Sequence, residues 1–99
     1  MVSYEVTVEM EAELTAAFEQ YMREKHIPEI MVTGCFTAIF FEMASPLKFR
    51  TRYEANTQAD LDRYLNNHTD HFRADFMAHF PEGVTPSREV WKLQQAWDG

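Results

Sequence analysis

Ser3-Tyr4-Glu5-Val6-Thr7-Val8-Glu9 alternates polar and apolar residues, and at Met10 the period changes. A period of two puts Tyr4, Val6 and Val8 on one face of a half-buried strand. Beyond it, Met10, Leu14, Ala17, Phe18, Tyr21, Met22 and Lys25 recur at helical spacing. Glu11 and Glu13 in the first turn, with Arg23, Lys25 and His26 in the last, suit the helix dipole. Pro28 disfavours helical geometry at Ile27, so the helix is expected to stop near His26.

Working outward, Glu29 to Thr33 reads as an apolar connector, and Gly34 as the opening of a second strand reaching about Met43. Cys35-Phe36-Thr37-Ala38-Ile39-Phe40-Phe41 is apolar on both faces, which predicts a strand covered on both sides. Ala44-Ser45-Pro46 is a turn. Leu47 to Ala55 then alternates, with Leu47, Phe49, Thr51 and Tyr53 opposite Lys48, Arg50, Arg52 and Glu54. Thr57 with Asp60 three residues later forms a shortened capping box for a helix running to about Phe80, with a break near Asn66-Asn67. Pro81-Glu82-Gly83 closes it, and Ser87 to Ala96 reads as a final strand. The order β-α-β-β-α-β within one domain, residues 1–99, predicts an α+β ferredoxin-like sandwich, two helices on one face of an antiparallel sheet. First and third strands are then neighbours, and Glu5 and Glu9 can pair across to Lys48, Arg50 and Arg52.

Composition narrows the function classes. The chain has 99 residues, too few for two independent cores, and 45% of them are hydrophobic. Sixteen acids against nine Lys/Arg give a net charge of −7, which argues against nucleic acid and anionic membranes as partners. The single cysteine, Cys35, excludes an internal disulfide and a four-cysteine zinc site. No basic, apolar secretory leader and no apolar run of membrane-spanning length is visible, so a cytoplasmic location is expected.

Tyr21-Met22-Arg23-Glu24-Lys25-His26-Ile27-Pro28-Glu29-Ile30-Met31-Val32-Thr33-Gly34-Cys35-Phe36 resembles the central motif of the DUF4286 family of small uncharacterised bacterial proteins: a helix ending in His-Ile-Pro, a few apolar residues, then Thr-Gly-x-Phe. Tyr53-Glu54-Ala55, Leu61, Tyr64, His68, Arg73 and Phe80 follow at matching spacings. The chain departs from that pattern at Tyr21, where the family often has Trp, and at Pro86-Ser87-Arg88-Glu89. The resemblance implies the topology of the dimeric α+β barrels and a homodimer, and no established reaction.

The residues themselves offer few chemical signals. His26 reads first as a helix C-terminal histidine bonded to a free carbonyl, and second as a pocket base. His68, His71, Asp75 and His79 project into one sector of a straight helix, a spacing able to chelate a metal, but satisfied core and surface histidines explain them better; no metal is expected. Cys35 reads as a buried inert thiol. No phosphate-cradling glycine loop and no Gly-x-Ser-x-Gly elbow occurs, so no cofactor is expected. Two functions remain. In one, a small, partly apolar or aromatic ligand binds between helices and sheet, among Tyr21, His26, Phe36, Tyr53, His68 and Phe72, with cofactor-independent acid/base chemistry open to the polar groups. In the other, the chain is a structural or regulatory homodimer with a filled core. His26, Tyr53 and His68 are expected to converge, and an open cavity of several hundred Å³ would favour the first function.

Overall fold

In the computed structural model, which describes residues 1–99, β1 (Val2–Met10) runs centrally between two antiparallel partners, β3 (Lys48–Ala55) and β4 (Val84–Lys92). β2 (Ala38–Ser45) pairs antiparallel with the far side of β3, so the sheet order is β2-β3-β1-β4. Register follows the alternation: Tyr4 lies opposite Tyr53 and Val8 opposite Phe49, which puts both apolar sets on one face. The other face carries Glu5 opposite Arg52 and Glu9 opposite Lys48. The α+β ferredoxin-like arrangement is the one the element order predicts.

Both helical arms cover the apolar face. A 3-10 turn (Ala12–Leu14) leads into α1 (Thr15–Tyr21), a π-helical turn (Met22–His26) and α2 (Ile27–Val32). The helix therefore does not stop at His26 but runs on through Pro28. A proline is tolerated early in a helical segment because the N–H it lacks is one the π turn no longer needs. The Ile27 N–H reaches back to the Met22 carbonyl, five residues away, and the ladder steps over the conflict. Gly34, at φ +74°, ends α2 rather than opening β2: its N–H bonds the Met31 carbonyl in a left-handed cap. Cys35 and Phe36 are buried in the link that follows, and β2 starts only at Ala38.

The second arm breaks where two asparagines precede His68. α3 (Gln58–Asn67) begins at Thr57, whose side-chain oxygen accepts from the Asp60 N–H at 3.2 Å and whose hydroxyl donates to the Asp60 carboxylate at 3.0 Å. α4 (Thr69–His79) follows after the kink. β4 begins at Val84, three residues before the expected Ser87, because an edge strand accepts Pro86, whose missing N–H would disrupt a central one.

The core falls into two adjoining halves with Val6 touching both. Tyr4, Tyr53, Ile30, Phe36, Leu61, Tyr64 and Phe72 fill one; Val8, Phe49, Phe18, Tyr21, Phe76 and Phe80 fill the other. β2 is an edge strand, and the expectation that it is covered on both sides is corrected. Ile39 and Phe41 face the helices half-buried, while Phe40, on the bare face, is 42% exposed beneath the Arg52 guanidinium 4.6 Å from its ring. No helix is long and apolar enough to cross a membrane.

Candidate functional site

The π turn decides where His26 goes. At 100° per residue, five α-helical residues separate two side chains by about 140°, so Tyr21 and His26 would point apart. With the wider turn between them their rings lie 5.3 Å apart, and the Tyr21 hydroxyl is 3.2 Å from His26 Nδ1. The same hydroxyl is 2.6 Å from an Asp75 carboxylate oxygen on α4. So short a contact to a carboxylate holds the phenol hydrogen on Asp75. The Tyr21 oxygen must then accept from Nδ1–H, which assigns the tautomer and leaves Nε2 with the lone pair.

Charge is arranged around this relay. Burial lowers the His26 pKa to about 4, against a smaller opposing pull from Asp75, so the ring is neutral at neutral pH. Asp75 is held below the usual carboxylate range, first by the Tyr21 hydrogen bond and then by Lys25, whose Nζ is 3.3 Å away. Burial pushes the Tyr21 phenol well up, and the Asp75 bond adds to it. His79 packs its ring 4.6 Å from that of Tyr21 and its Nδ1 donates to the Asp75 backbone carbonyl at 2.8 Å.

His26 and Tyr53 line one small cleft between helices and sheet, of about 40 Å³. Phe72 lines it too, with Tyr4, Tyr64, Arg73 and Arg88 around the rim. The Arg73 guanidinium donates to the Tyr4 hydroxyl at 3.1 Å, and register sets Arg88 opposite Val6 on β4. Burial keeps Tyr53 and Tyr64 protonated well beyond the usual tyrosine range. Tyr21 and Phe36 do not line the cleft: Tyr21 stands behind His26, and Phe36 packs against Tyr53 and Tyr64. His68 does not join the site; at the kink between α3 and α4 its ring lies over Tyr64 instead. The expected convergence therefore holds for His26 and Tyr53 and fails for His68.

The helix kink also dissolves the supposed His68, His71, Asp75, His79 sector. Only Asp75 and His79 meet, and no three His, Cys, Asp or Glu side chains gather where they could hold a metal. A larger concavity, about 540 Å³, lies elsewhere, in the trough of the bare sheet face among Glu5, Glu42, Glu89, Lys48 and Arg50. It is the open curvature of an uncovered sheet, with Arg50 already paired to Glu42 at 3.0 Å, and it touches none of the relay.

Residues 1–94 match the domain of unknown function DUF4286. The chain belongs to that family. Solved structures share the fold of this DUF4286 protein at low identity. A candidate antibiotic biosynthesis monooxygenase from Deinococcus radiodurans superposes with a TM-score of 0.72 at 16% identity, covering 99% of this chain and 97% of that one. An ethyl tert-butyl ether D (EthD) family protein from Bacillus halodurans gives 0.71 at 11%, over 95% and 100%. A protein of unknown function from Nitrosomonas europaea gives 0.68 at 17%, over 99% and 95%. Identities this low establish the architecture alone. No curated protein matches the sequence.

Proposed function

We propose that this DUF4286 protein is a homodimer that binds a small, partly apolar or aromatic ligand in the cleft between helices and sheet, with His26 as its acid/base group. The observation that carries the reading is the Asp75–Tyr21–His26 relay, which ends on the cleft wall. A purely structural core has no use for it, since a buried imidazole whose protonation is suppressed costs stability that an apolar ring would not. As a base, Nε2 takes a proton from the ligand while Nδ1–H stays on Tyr21, and Asp75 steadies the imidazolium through the phenol. The monooxygenase and EthD-family names attached to similar folds keep small organic ligands in view without choosing one.

The bare sheet face is the surface that this reading gives to the second copy. Phe40 and Trp91 stand exposed on it among acids and bases able to pair with their own symmetry mates. One observation favours the rival reading of a structural dimer: about 40 Å³ is room for little more than one water, far from the several hundred Å³ of a formed ligand pocket. Ligand entry then requires α4 to move from β4. Native mass spectrometry of protein purified from its own source tests the reading, with twice 11.7 kDa plus a small retained mass as the expected result. A dimer without retained mass, whose melting temperature falls for His26→Ala, would establish the structural reading. A monomer would refute both.

A further inference from the structure

Resting on the ligand-cleft reading, and on the movement of α4 from β4 that it requires, we infer that the cleft selects a carboxylate: a flat, largely apolar acid whose carboxyl group meets Arg73 and Arg88 while its ring enters the space opened between Phe72 and Tyr53. The lining is what points there. The protein carries sixteen acids against nine Lys/Arg, yet no Asp or Glu lines this cleft, and two arginines do. Neither arginine is spent elsewhere. Lys25, Lys48, Arg50, Arg52 and Arg63 each lie within ion-pair distance of a carboxylate; Arg23, Arg73, Arg88 and Lys92 have none, and of these four only Arg73 and Arg88 line the cleft. Arg73 reaches only the Tyr4 oxygen, which accepts from it, so the Tyr4 O–H is left free to donate.

The other polar groups have the same sense. Tyr53 and Tyr64 bring phenols that burial keeps protonated, and Thr69 adds a hydroxyl. Two guanidinium forks without a carboxylate partner, three buried phenols and a hydroxyl make a donor-rich lining with no anionic acceptor. Such a lining is unbalanced without an anion, and a carboxylate suits an arginine fork better than a neutral group because both hydrogen bonds are charge-assisted. The walls between the donors are aromatic or aliphatic, with Val6, Phe72 and Phe76 among them, which suits an apolar body behind the charge. The placement comes from two distant parts of the chain: Arg73 projects from α4, one residue beyond Phe72, and Arg88 sits opposite Val6 through the β1–β4 register. A carboxylate held here would also lie near His26 and favour its protonation, linking ligand binding to the relay.

The test uses benzoate, its neutral isostere benzamide and inorganic phosphate as probes of the full-length protein, read by NMR shifts of Tyr53 and Phe72 at low salt. Benzoate is expected to bind about tenfold or more tightly than benzamide, and Arg73→Gln or Arg88→Gln to weaken benzoate by about tenfold without affecting benzamide, in line with the worth of a hydrogen bond to a charged group. Both arginines are exposed, so the variants should fold, and unchanged melting temperatures verify it. Equal binding of benzoate and benzamide would overturn the carboxylate assignment and leave the ligand cleft standing. Displacement of benzoate by phosphate at equal concentration would overturn it in favour of an unselective anion site. Failure of both organic probes to shift the cleft would also overturn it. If the purified protein then carries a retained ligand, the cleft reading survives; if it carries none and His26→Ala lowers the melting temperature, that reading falls too.

Discussion

Replacing His26 with Gln should flatten the acid side of the stability profile, by an amount that follows from the burial of the ring. His26 has an ordinary value of 6.5 when exposed in the unfolded chain and about 4 in the fold, lowered chiefly by desolvation. The unfolded state therefore binds the extra proton first as the pH drops, and stability falls across the window from 6.5 to 4. Above 6.5 the ring is neutral in both states and contributes no slope. The steepest loss is about 1.4 kcal/mol per pH unit, and the full effect below pH 4 is about 3 kcal/mol. Between pH 7 and pH 5 the loss is about 2 kcal/mol. Asp75 acts in a different window: its folded value lies below the ordinary 3.8, so its stabilisation is complete above that pH and disappears only as pH falls through the lower value. The assay is urea unfolding at fixed protomer concentration from pH 7 to pH 4, for the natural protein and His26→Gln, whose amide can still donate to Tyr21. The difference between the two curves should shrink with falling pH by the amounts above. Parallel curves would show that His26 titrates alike in both states, and the buried, Nδ1-protonated assignment would be wrong.

Two smaller tests address the frame that carries the site. Thr57→Ala removes the reciprocal cap of α3 and should cost about 1 kcal/mol in chemical denaturation; no loss would mean that water replaces the hydroxyl at no cost. Gly83→Ala should destabilise more than Gly34→Ala, though both glycines have positive φ: each pays about 1–2 kcal/mol for the left-handed backbone, but a Cβ at 83 also meets Leu14 Cδ1 at 2.7 Å while one at 34 meets nothing within 4 Å. Equal losses would show that Leu14 moves aside freely.

The sheet was legible where one face is wet. Alternation over Ser3–Glu9 and Leu47–Ala55 predicts both the strands and their pairing, because a one-residue slip would turn Tyr4, Val8, Phe49 and Tyr53 to solvent. The Thr57 cap was legible because it is local. β4 begins three residues before the expected Ser87 and ends at Lys92, four before the expected Ala96; Pro86 can sit within it because an edge strand has a side on which no partner needs an N–H. The four-residue sector on the second helical arm failed for a related reason: extrapolating 100° per residue across the kink at His68 loses phase, so His68 lands on Tyr64 and only Asp75 and His79 meet. Arg73 and Arg88 carried no sequence signal as a pair, since only the β1–β4 register and the seating of α4 bring them to one cleft.

The same limit on helical phase explains why the relay was invisible although Tyr21, His26 and Asp75 each stood out singly in the sequence. Tyr21 and His26 are five apart, a spacing that a helical wheel assigns to different faces, so the pattern suggested a capping role for His26 at a helix end. The one local sign of something else was Pro28, read as a stop. A proline two residues after a histidine can equally mark a register change in a continuing helix, provided a π turn absorbs the missing N–H. Here it does, and the wider turn has a geometric consequence for the site: it swings His26 round until Nδ1 lies over the Tyr21 oxygen, while Phe18, Tyr21 and Met22 before it and Ile30 after it all remain buried. A strictly α-helical segment of the same sequence would have to choose between seating Tyr21 against Phe76 and Phe80 and seating His26 against Phe72. The π turn lets both sit inward at once, which is what allows a carboxylate on α4 to reach a histidine on the cleft wall through a single phenol.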